Sequence, residues 1–397
     1  GVGVLTYKGN TIIHGNGVNE YSSIEAKING MPMEEVDNFA EYVDYPVNKF
    51  LMTGEPEKIA KAQDVMRQTF GEQLNIFRSE PFFLEIVPPS IDKAYYMDEA
   101  ICNGEVMRVS RCRNSAGGKG LNVARVIKLC HEDVLATGLV GGYNGQYLES
   151  LLSTDGIAYQ FGHVSGETRS CINILDPQYG STEYLEPGCV ITPEEEKCFI
   201  ELFQDIIKKS DIVTISGSVP KGLPCNIYQR LIQMIKNEHK KVILDSSGES
   251  LKEGLLAKPT MVKPNKNEME NLFGIEINTV EEVIQYAQEI AKMGIQYVVV
   301  SLGADGAVLV MKDQVLRARP PVIKPVNTVG CGDSMVAAFA VALQRKYTPK
   351  EALAFAIAIA TANALSPETG SFEETQCLEI LQQVKVKECE KGEYVCH

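Results

Sequence analysis

From about Asp211 onward, the hydrophobic and polar positions switch repeatedly between two rhythms, and that alternation predicts the architecture. Short apolar, β-branched runs at Ile212–Ser216, Val242–Asp245, Met261–Lys263 and Tyr297–Leu302 read as strands. Between them, stretches such as Ile227–His239 and Val280–Lys292 repeat their apolar residues at helical spacing. Strands alternating with helices predict an α/β fold wound on a mostly parallel sheet. Two further helices, Asp333–Arg345 and the alanine-rich Pro349–Leu365, are expected to bury one face each. Between Tyr95 and Arg113, and again between Thr168 and Glu186, β-prone residues interleave with polar ones. That pattern suits a small sheet open to solvent on one side, which could act as a lid. No repeat or low-complexity tract occurs, and no Pro/Gly-rich linker sets the first ninety residues apart.

Composition narrows the function classes. At 397 residues the chain exceeds one ordinary core, so at least two domains are expected. A net charge of −14 argues against nucleic acid as a partner, because a phosphate backbone needs a basic face. An anionic substrate must therefore meet a local cluster of Lys and Arg. Eleven cysteines, with no CxxC pair and no zinc spacing, suggest reduced thiols, no disulfide and no structural metal. No apolar run approaches the roughly 20 residues of a membrane helix, and no charged-then-apolar leader opens the chain, so a cytoplasmic location is expected. The chain opens on Gly1 instead of Met, so the native start is expected upstream, or a tag has been removed.

The stretch with most chemical content is Asn327-Thr-Val-Gly-Cys-Gly-Asp-Ser334. A glycine-rich turn launches a helix whose first N–H groups, Gly330, Cys331 and Gly332 among them, can hold an anion, and Asp333 stands at the mouth as a candidate base. That pairing suits phosphoryl transfer. The plainer reading is a tight turn with Asp333 as helix cap.

Asn114-Ser-Ala-Gly-Gly-Lys-Gly-Leu-Asn122 is a second glycine-rich turn running into a helix. It is no Walker loop, since Lys119 precedes Gly120 instead of Ser or Thr. Its glycines, Gly118 included, would let a polyol approach the backbone, with Asn122 able to serve hydroxyls. A helix entry with a solvated lysine explains it equally well. Lys263-Pro-Asn265 closes a strand, and Glu268 follows at a spacing that could steer hydrated Mg²⁺, or could simply complete a helix cap. Ser301-Leu-Gly303-Ala-Asp-Gly306 ends another strand in a turn that suits either a nucleotide resting on backbone or an ordinary hairpin. Asp92, after Pro-Pro-Ser-Ile, is on its own a turn aspartate.

The order of these stretches raises their weight: Pro89-Ser-Ile-Asp92, the GGKG turn, Glu167-Thr-Arg169, Ser216-Gly-Ser218, Lys263-Pro-Asn265 with Glu268, the turn at Gly303, and last GCGD. From about Pro88 to the C-terminus the chain thereby resembles ribokinase-like carbohydrate kinases of the phosphofructokinase-B type. The resemblance implies a three-layer α/β/α fold with a small β lid, and ATP with Mg²⁺ as cofactors. It implies Asp333 as catalytic base and Gly330, Cys331 and Gly332 as anion hole. Asn265 and Glu268 would organise Mg²⁺ and phosphate, while Ser301, Gly303, Gly306 and Asn363 border the nucleotide. Gly370 falls where relatives bind a monovalent cation such as K⁺. Asp92, Gly118, Lys119, Asn122 and Ser218 would face the sugar. Cys331 replaces a commoner alanine and Asn327 a frequent Asp, and neither change removes a catalytic group.

Arg108 and Arg169 resemble the phosphate anchors of hexose-phosphate kinases, where a bidentate guanidinium suits a phosphate; as solvated lid residues they would be unremarkable. Segments such as Leu244-Asp-Ser-Ser-Gly248 look like tagatose-6-phosphate kinase, whereas Pro320-Pro321 through Ser334-Met335 looks more like 1-phosphofructokinase. The implied reaction is ATP-dependent phosphorylation of a ketohexose monophosphate, with another sugar or sugar phosphate as the alternative. Relatives often dimerise through their lids, so a homodimer is the expectation.

Residues 1–87 stand apart. Thr6-Tyr-Lys-Gly-Asn10, Glu20-Tyr21 with Ile24-Glu25, and Ile76-Phe-Arg-Ser-Glu-Pro-Phe-Phe-Leu-Glu-Ile-Val87 resemble the cap of haloacid dehalogenase-like sugar phosphatases of the Cof type. No Asp-x-Asp-Gly-Thr nucleophile motif occurs, so phosphatase activity is not expected, and an unrelated α/β extension is the alternative. Phe82–Val87, an apolar run leading into a proline turn, is expected to replace the first strand of the kinase sheet. A non-catalytic sugar-phosphate sensor, crippled by such a fusion, is the rival to an active enzyme.

Overall fold

The computed structural model describes residues 2–8, 11–15, 17, 19–44, 50–70, 75–87, 93–96, 111–176 and 180–389. The chain divides into two compact units, Gly1–Ser90 and Ile91–His397. In the first, six strands hydrogen-bond in the order Met33–Glu35, Thr11–His14, Gly3–Lys8, Phe50–Thr53, Phe83–Val87, Asn75–Glu80. Period-two alternation gives the sheet two apolar faces. Leu5, Ile12, Leu51 and Phe83 pack with Tyr21 and Ile24 of the helix Glu20–Asn29 on one face. Ile76, Leu84 and Ile86 pack with Ile59 of the helix Pro56–Phe70 on the other.

The expectation that Phe82–Val87 supplies the first strand of the kinase sheet is corrected here. Phe83–Val87 runs antiparallel between two strands of the first unit, with Ile86 opposite both Phe50 and Ile76. Both its edges are paired, and Phe83 on one face and Leu84 and Ile86 on the other are buried, so this sheet accounts for the segment.

In the second unit a seven-stranded sheet runs Ile212–Ser216, Lys241–Asp245, Met261–Val262, Tyr297–Ser301, Ala307–Val310, Val315–Arg319, Lys385–Glu388. The first four strands are parallel and the remaining pairs antiparallel. Helices cover both faces, which is why the central strands read as unbroken apolar runs. Ile243 and Val299 point into a core built with the helices Lys119–Leu129, Cys331–Gln344 and Pro349–Leu365, while Val242, Leu244, Val298 and Val300 point into a core with Ile227–Asn237 and Val280–Lys292. The architecture is the three-layer α/β/α expected. Helix starts are written locally: Thr192 with Glu195, Asn265 with Glu268, Thr279 with Glu282 and Thr348 with Glu351 each form a reciprocal capping box.

The lid segments form one four-stranded sheet in the order Gly180–Leu185, Cys171–Asp176, Lys93–Tyr96, Arg111–Asn114. Two short parallel pairs, Leu139–Gly141 with Gly162–Val164 and Leu135–Ala136 with Ala158–Tyr159, stand apart from the large sheet. Among the described residues, Ile212–Ser216 pairs only with Lys241–Asp245 and so forms the sheet's edge. Leu139 and Val213 are both among the residues that line a cavity of about 1100 Å³. No described helix is long and apolar enough to cross a membrane.

Ile243 is fully buried in a central strand, so Ile243→Ala should cost about 2–5 kcal/mol. Denaturant titration checks this: a midpoint unchanged from the parent chain would contradict the core assignment.

Candidate active site

The parallel strands deliver their carboxyl ends to one place, the usual position for a binding crevice in an open α/β sheet. Ile212–Ser216 leads into Gly217 and Ser218, Lys241–Asp245 ends on Asp245, Met261–Val262 runs into Lys263, and Tyr297–Ser301 ends on Ser301. Opposite them starts the helix Cys331–Gln344. Its cap, Gly330, is left-handed with φ of 82° and gives no side-chain cap. A Cβ on Gly330 would lie 2.8 Å from Thr369 Cγ2 and 3.0 Å from the Gly370 nitrogen, so only glycine fits. The Cys331 N–H turns back to the Thr328 carbonyl oxygen at 3.4 Å, while no side chain caps this end, so the N–H groups of Gly332 and Asp333 can meet an anion at the positive end of the helix dipole.

Asp333 sits in that first turn and is buried. Asn122 Nδ2 donates to its Oδ2 at 2.8 Å across the fold. Burial pushes the Asp333 carboxyl up to about 6, the Asn122 hydrogen bond opposes that rise, nearby Asp245 adds to it, and Lys119 and Lys263 pull it down. A carboxylate balanced in this way is charged at neutral pH, yet basic enough to take a proton.

Two ammonium groups bracket the site. Lys119 Nζ stands 3.5 Å from Asp245 Oδ2, and Lys263 Nζ stands 3.3 Å from Asp245 Oδ1. Lys263 and Asp245 are almost wholly buried. Lys263 Nζ also reaches the turn Gly330–Gly332, lying 3.4 Å from where a Cβ on Gly332 would be.

The structure thus brings together Gly330, Cys331, Gly332, Asp333, Lys119 and Asn122. Gly118 caps the helix Lys119–Leu129 with φ of 105°, a conformation suited to glycine. Gly118, Lys119, Arg169 and Ser218 line the large cavity, with Arg169 and Ser218 exposed. Asp92 and Arg108 lie outside the described residues.

Asn265 and Glu268 form a reciprocal cap, each side chain accepting the other's backbone N–H at 2.8 Å. Asn265 also bridges Ser301, and both line a second depression of about 330 Å³ with Gly303 and Asp305. Gly306 is buried with φ of 88°, and a Cβ there would lie 2.0 Å from the Ala318 carbonyl oxygen, so it serves the close approach of two strands. Asn363 lies behind the turn Gly330–Gly332: Nδ2 donates to Val329 O and Cys331 Sγ, and Oδ1 accepts from Gly370 N and Ser371 N. Gly370 packs on Asn122, leaving 3.1 Å between its hypothetical Cβ and Asn122 Cα.

Sequence reasoning missed three participants. In sequence Asp245 stands out only as a strand end within a substrate-group segment, and Lys263 only as a strand end heading Lys-Pro-Asn. The available signal was a charged residue closing a buried strand. Arg125 lies one helical turn beyond Asn122: its Nη1 donates to Asn122 Oδ1 and Thr369 O, and its Nη2 to Ala116 O.

Residues 89–376 match the family model described as pfkB family carbohydrate kinase, and residues 1–105 match one described as haloacid dehalogenase-like hydrolase. A 1-phosphofructokinase of Bacillus subtilis (strain 168) is 35% identical over 75% of this chain and 96% of its own length. A tagatose-6-phosphate kinase of Staphylococcus epidermidis is 38% identical over 76% and 97%. Phosphofructokinase-2 from Escherichia coli, solved in complex with potassium, superimposes with a TM-score of 0.69 at 30% identity, covering 74% of this chain and 96% of that one. Its tetrameric inhibited form superimposes with a TM-score of 0.68 at 30% identity over 74% and 95%.

Carboxyl-selective ¹³C NMR should show Asp333 titrating near pH 6, about two units above an ordinary aspartate. Asn122→Ala removes the hydrogen bond that favours the charged form, so the midpoint should move higher. An unmoved midpoint would count against that contact.

Proposed function

We propose that this chain, which belongs to the pfkB family of carbohydrate kinases and is on that ground an ATP-dependent sugar-phosphate kinase, acts on a ketohexose monophosphate. Tagatose 6-phosphate and fructose 1-phosphate are the candidate substrates, and the product is the bisphosphate. The observation that carries this reading is the buried Asp333 carboxylate, held by Asn122 at the uncapped start of a helix and flanked by two ammonium groups.

The chemistry follows from those parts. Asp333 accepts the proton of the sugar's free primary hydroxyl as that oxygen bonds to the γ-phosphorus and the bond to the ADP oxygen breaks. The N–H groups at Gly332 and Asp333 receive the negative charge of the transferring group, with Lys263 beside them. Lys119 and Arg169 line the sugar-side cavity and offer cations to the phosphate already on the substrate. Asn265, Ser301 and Gly303 border the depression assigned to the nucleotide.

Glu268 would steer hydrated Mg²⁺. One of its oxygens holds the Asn265 N–H, and the described residues contain no cluster of three or more His, Cys, Asp or Glu at metal-binding distance. That donor set fits a cation carried by the nucleotide's phosphates and met through water, not an all-protein cage. Bound there, Mg²⁺ would neutralise charge on the phosphates. The turn at Gly370, tied to the anion-binding turn through Asn363, is proposed to take K⁺.

Three measurements test the reading. Asp333→Asn should cut ATP-dependent turnover by about 10²–10⁴. A carboxyl whose folded pKa lies above its unfolded value favours folding only when protonated, so its contribution is lost as pH rises through about 6. The Asn variant should therefore melt no lower than the parent at pH 7.5, and near-normal turnover would end the base assignment. In the parent chain, kcat/KM should fall tenfold per pH unit below about 6. Arg169→Ala should raise KM for the sugar phosphate about 10–100-fold while leaving KM for ATP unchanged; equal effects on both would remove Arg169 from the sugar side.

A further inference from the structure

Asp245 closes its strand with a carboxylate that is 1% exposed. Among the described residues neither of its oxygens has a hydrogen-bond partner. A buried carboxylate without hydrogen bonds is costly unless cations compensate it. Here two cations do so at slightly longer range, Lys263 on Oδ1 and Lys119 on Oδ2. These lysines come from different elements: Lys263 follows the strand Met261–Val262, and Lys119 begins the helix Lys119–Leu129. Each has a second neighbour in the site. Lys263 Nζ lies against Gly332 in the anion-binding turn, and Lys119 lines the cavity assigned to the sugar phosphate.

We propose that Asp245 is a positioning residue for phosphoryl transfer: it holds the Lys263 ammonium at the anion-binding turn and the Lys119 ammonium at the sugar-phosphate cavity, and so fixes the spacing between the two charged ends of the reaction. The inference rests on the kinase reading of this crevice. Without the carboxylate both side chains regain their rotamer freedom, and the Lys263 charge is left buried and unpaired.

The charge of Asp245 is felt around it. The titratable and charged groups facing it are Lys119, Lys263, Asp333 and Tyr228. Burial, with Asp245 as a further cause, pushes the Tyr228 hydroxyl up to about 12. Lys119 is held above its ordinary value although its own burial works the other way, with Asp245 the largest cause raising it. Asp245 also adds to the rise at Asp333. Asp245 therefore acts on the base through space and on the phosphate-binding cations through contact.

The test is Asp245→Asn in the full chain, read by kcat, by the pH profile of kcat/KM and by Mg²⁺ dependence. Turnover should fall about 10–100-fold, and the acid limb should move to lower pH, because the carboxylate that raises Asp333 has gone while the charges of both lysines, though less well placed, stay in the crevice. A loss of turnover with the acid limb unmoved would mark a purely structural residue. An unmoved limb with a raised Mg²⁺ requirement would give the carboxylate to the cation. Either result overturns the proposal.

Because Asp245→Asn leaves Lys263 buried without a partner, Lys263→Met and the double variant Asp245→Asn/Lys263→Met complete a cycle. If Asp245 works in part by holding Lys263, the loss in the double variant should be clearly smaller than the product of the two single losses, the remainder being the part that runs through Lys119 and Asp333. Losses that multiply independently would overturn the proposal. An unaltered chain with no ATP-dependent turnover would end the kinase reading itself, whereas an active parent with an Asp245→Asn variant indistinguishable from it would end this inference alone.

Discussion

The site depends on keeping one carboxylate charged where almost no water reaches it. Moving an ion out of water is expensive, and the structure answers with an amide donor from Asn122 and the positive fields of Lys119, Lys263 and a helix start. Each compensating group needs its own anchor. Asn122 is steadied by Arg125, which reaches Ala116 and Thr369 as well, and the lysines meet on Asp245. The requirement of a single oxygen pair thus reaches into the helix Lys119–Leu129, two strand ends and the segment around Gly370.

Much of the scaffold was legible because its instructions are local. Ile212–Ser216 and Val280–Lys292 occur as read, and Tyr297–Leu302 and Met261–Lys263 end one residue early. Apolar runs, capping boxes and Pro at helix starts act within a few residues, so a sequence displays them directly. Asp333 and its glycines were legible for the same reason. Asn122 is legible as a motif member expected to face sugar hydroxyls, but its hydrogen bond to Asp333 across the fold is not. Asp245 and Lys263 were overlooked because their meaning lies in convergence. They close neighbouring strands and lie eighteen positions apart in sequence, and no local pattern says that Asp245 meets both Lys263 and Lys119.

Phe83–Val87 shows the converse. An apolar strand followed by a proline turn fits two different sheets, and nothing inside the segment chooses between them. The choice is made by Phe50–Thr53 and Asn75–Glu80, which pair with both its edges and remove it from the second unit's sheet. In the second unit, among the described residues, Ile212–Ser216 stands at an edge beside a large cavity of mixed polar and apolar lining. Exposed edge groups of this kind are ready templates for strand addition.

Asn363 has a reach beyond its size. Its one buried amide grips the turn before the helix Cys331–Gln344 with its nitrogen and the turn at Gly370 with its oxygen. Two segments some forty residues apart are thereby welded into a single stiff piece, so anything that tugs one drags the other. The N–H groups proposed to receive phosphate take their aim from that brace, and whatever settles beside Gly370 would reach them through one amide.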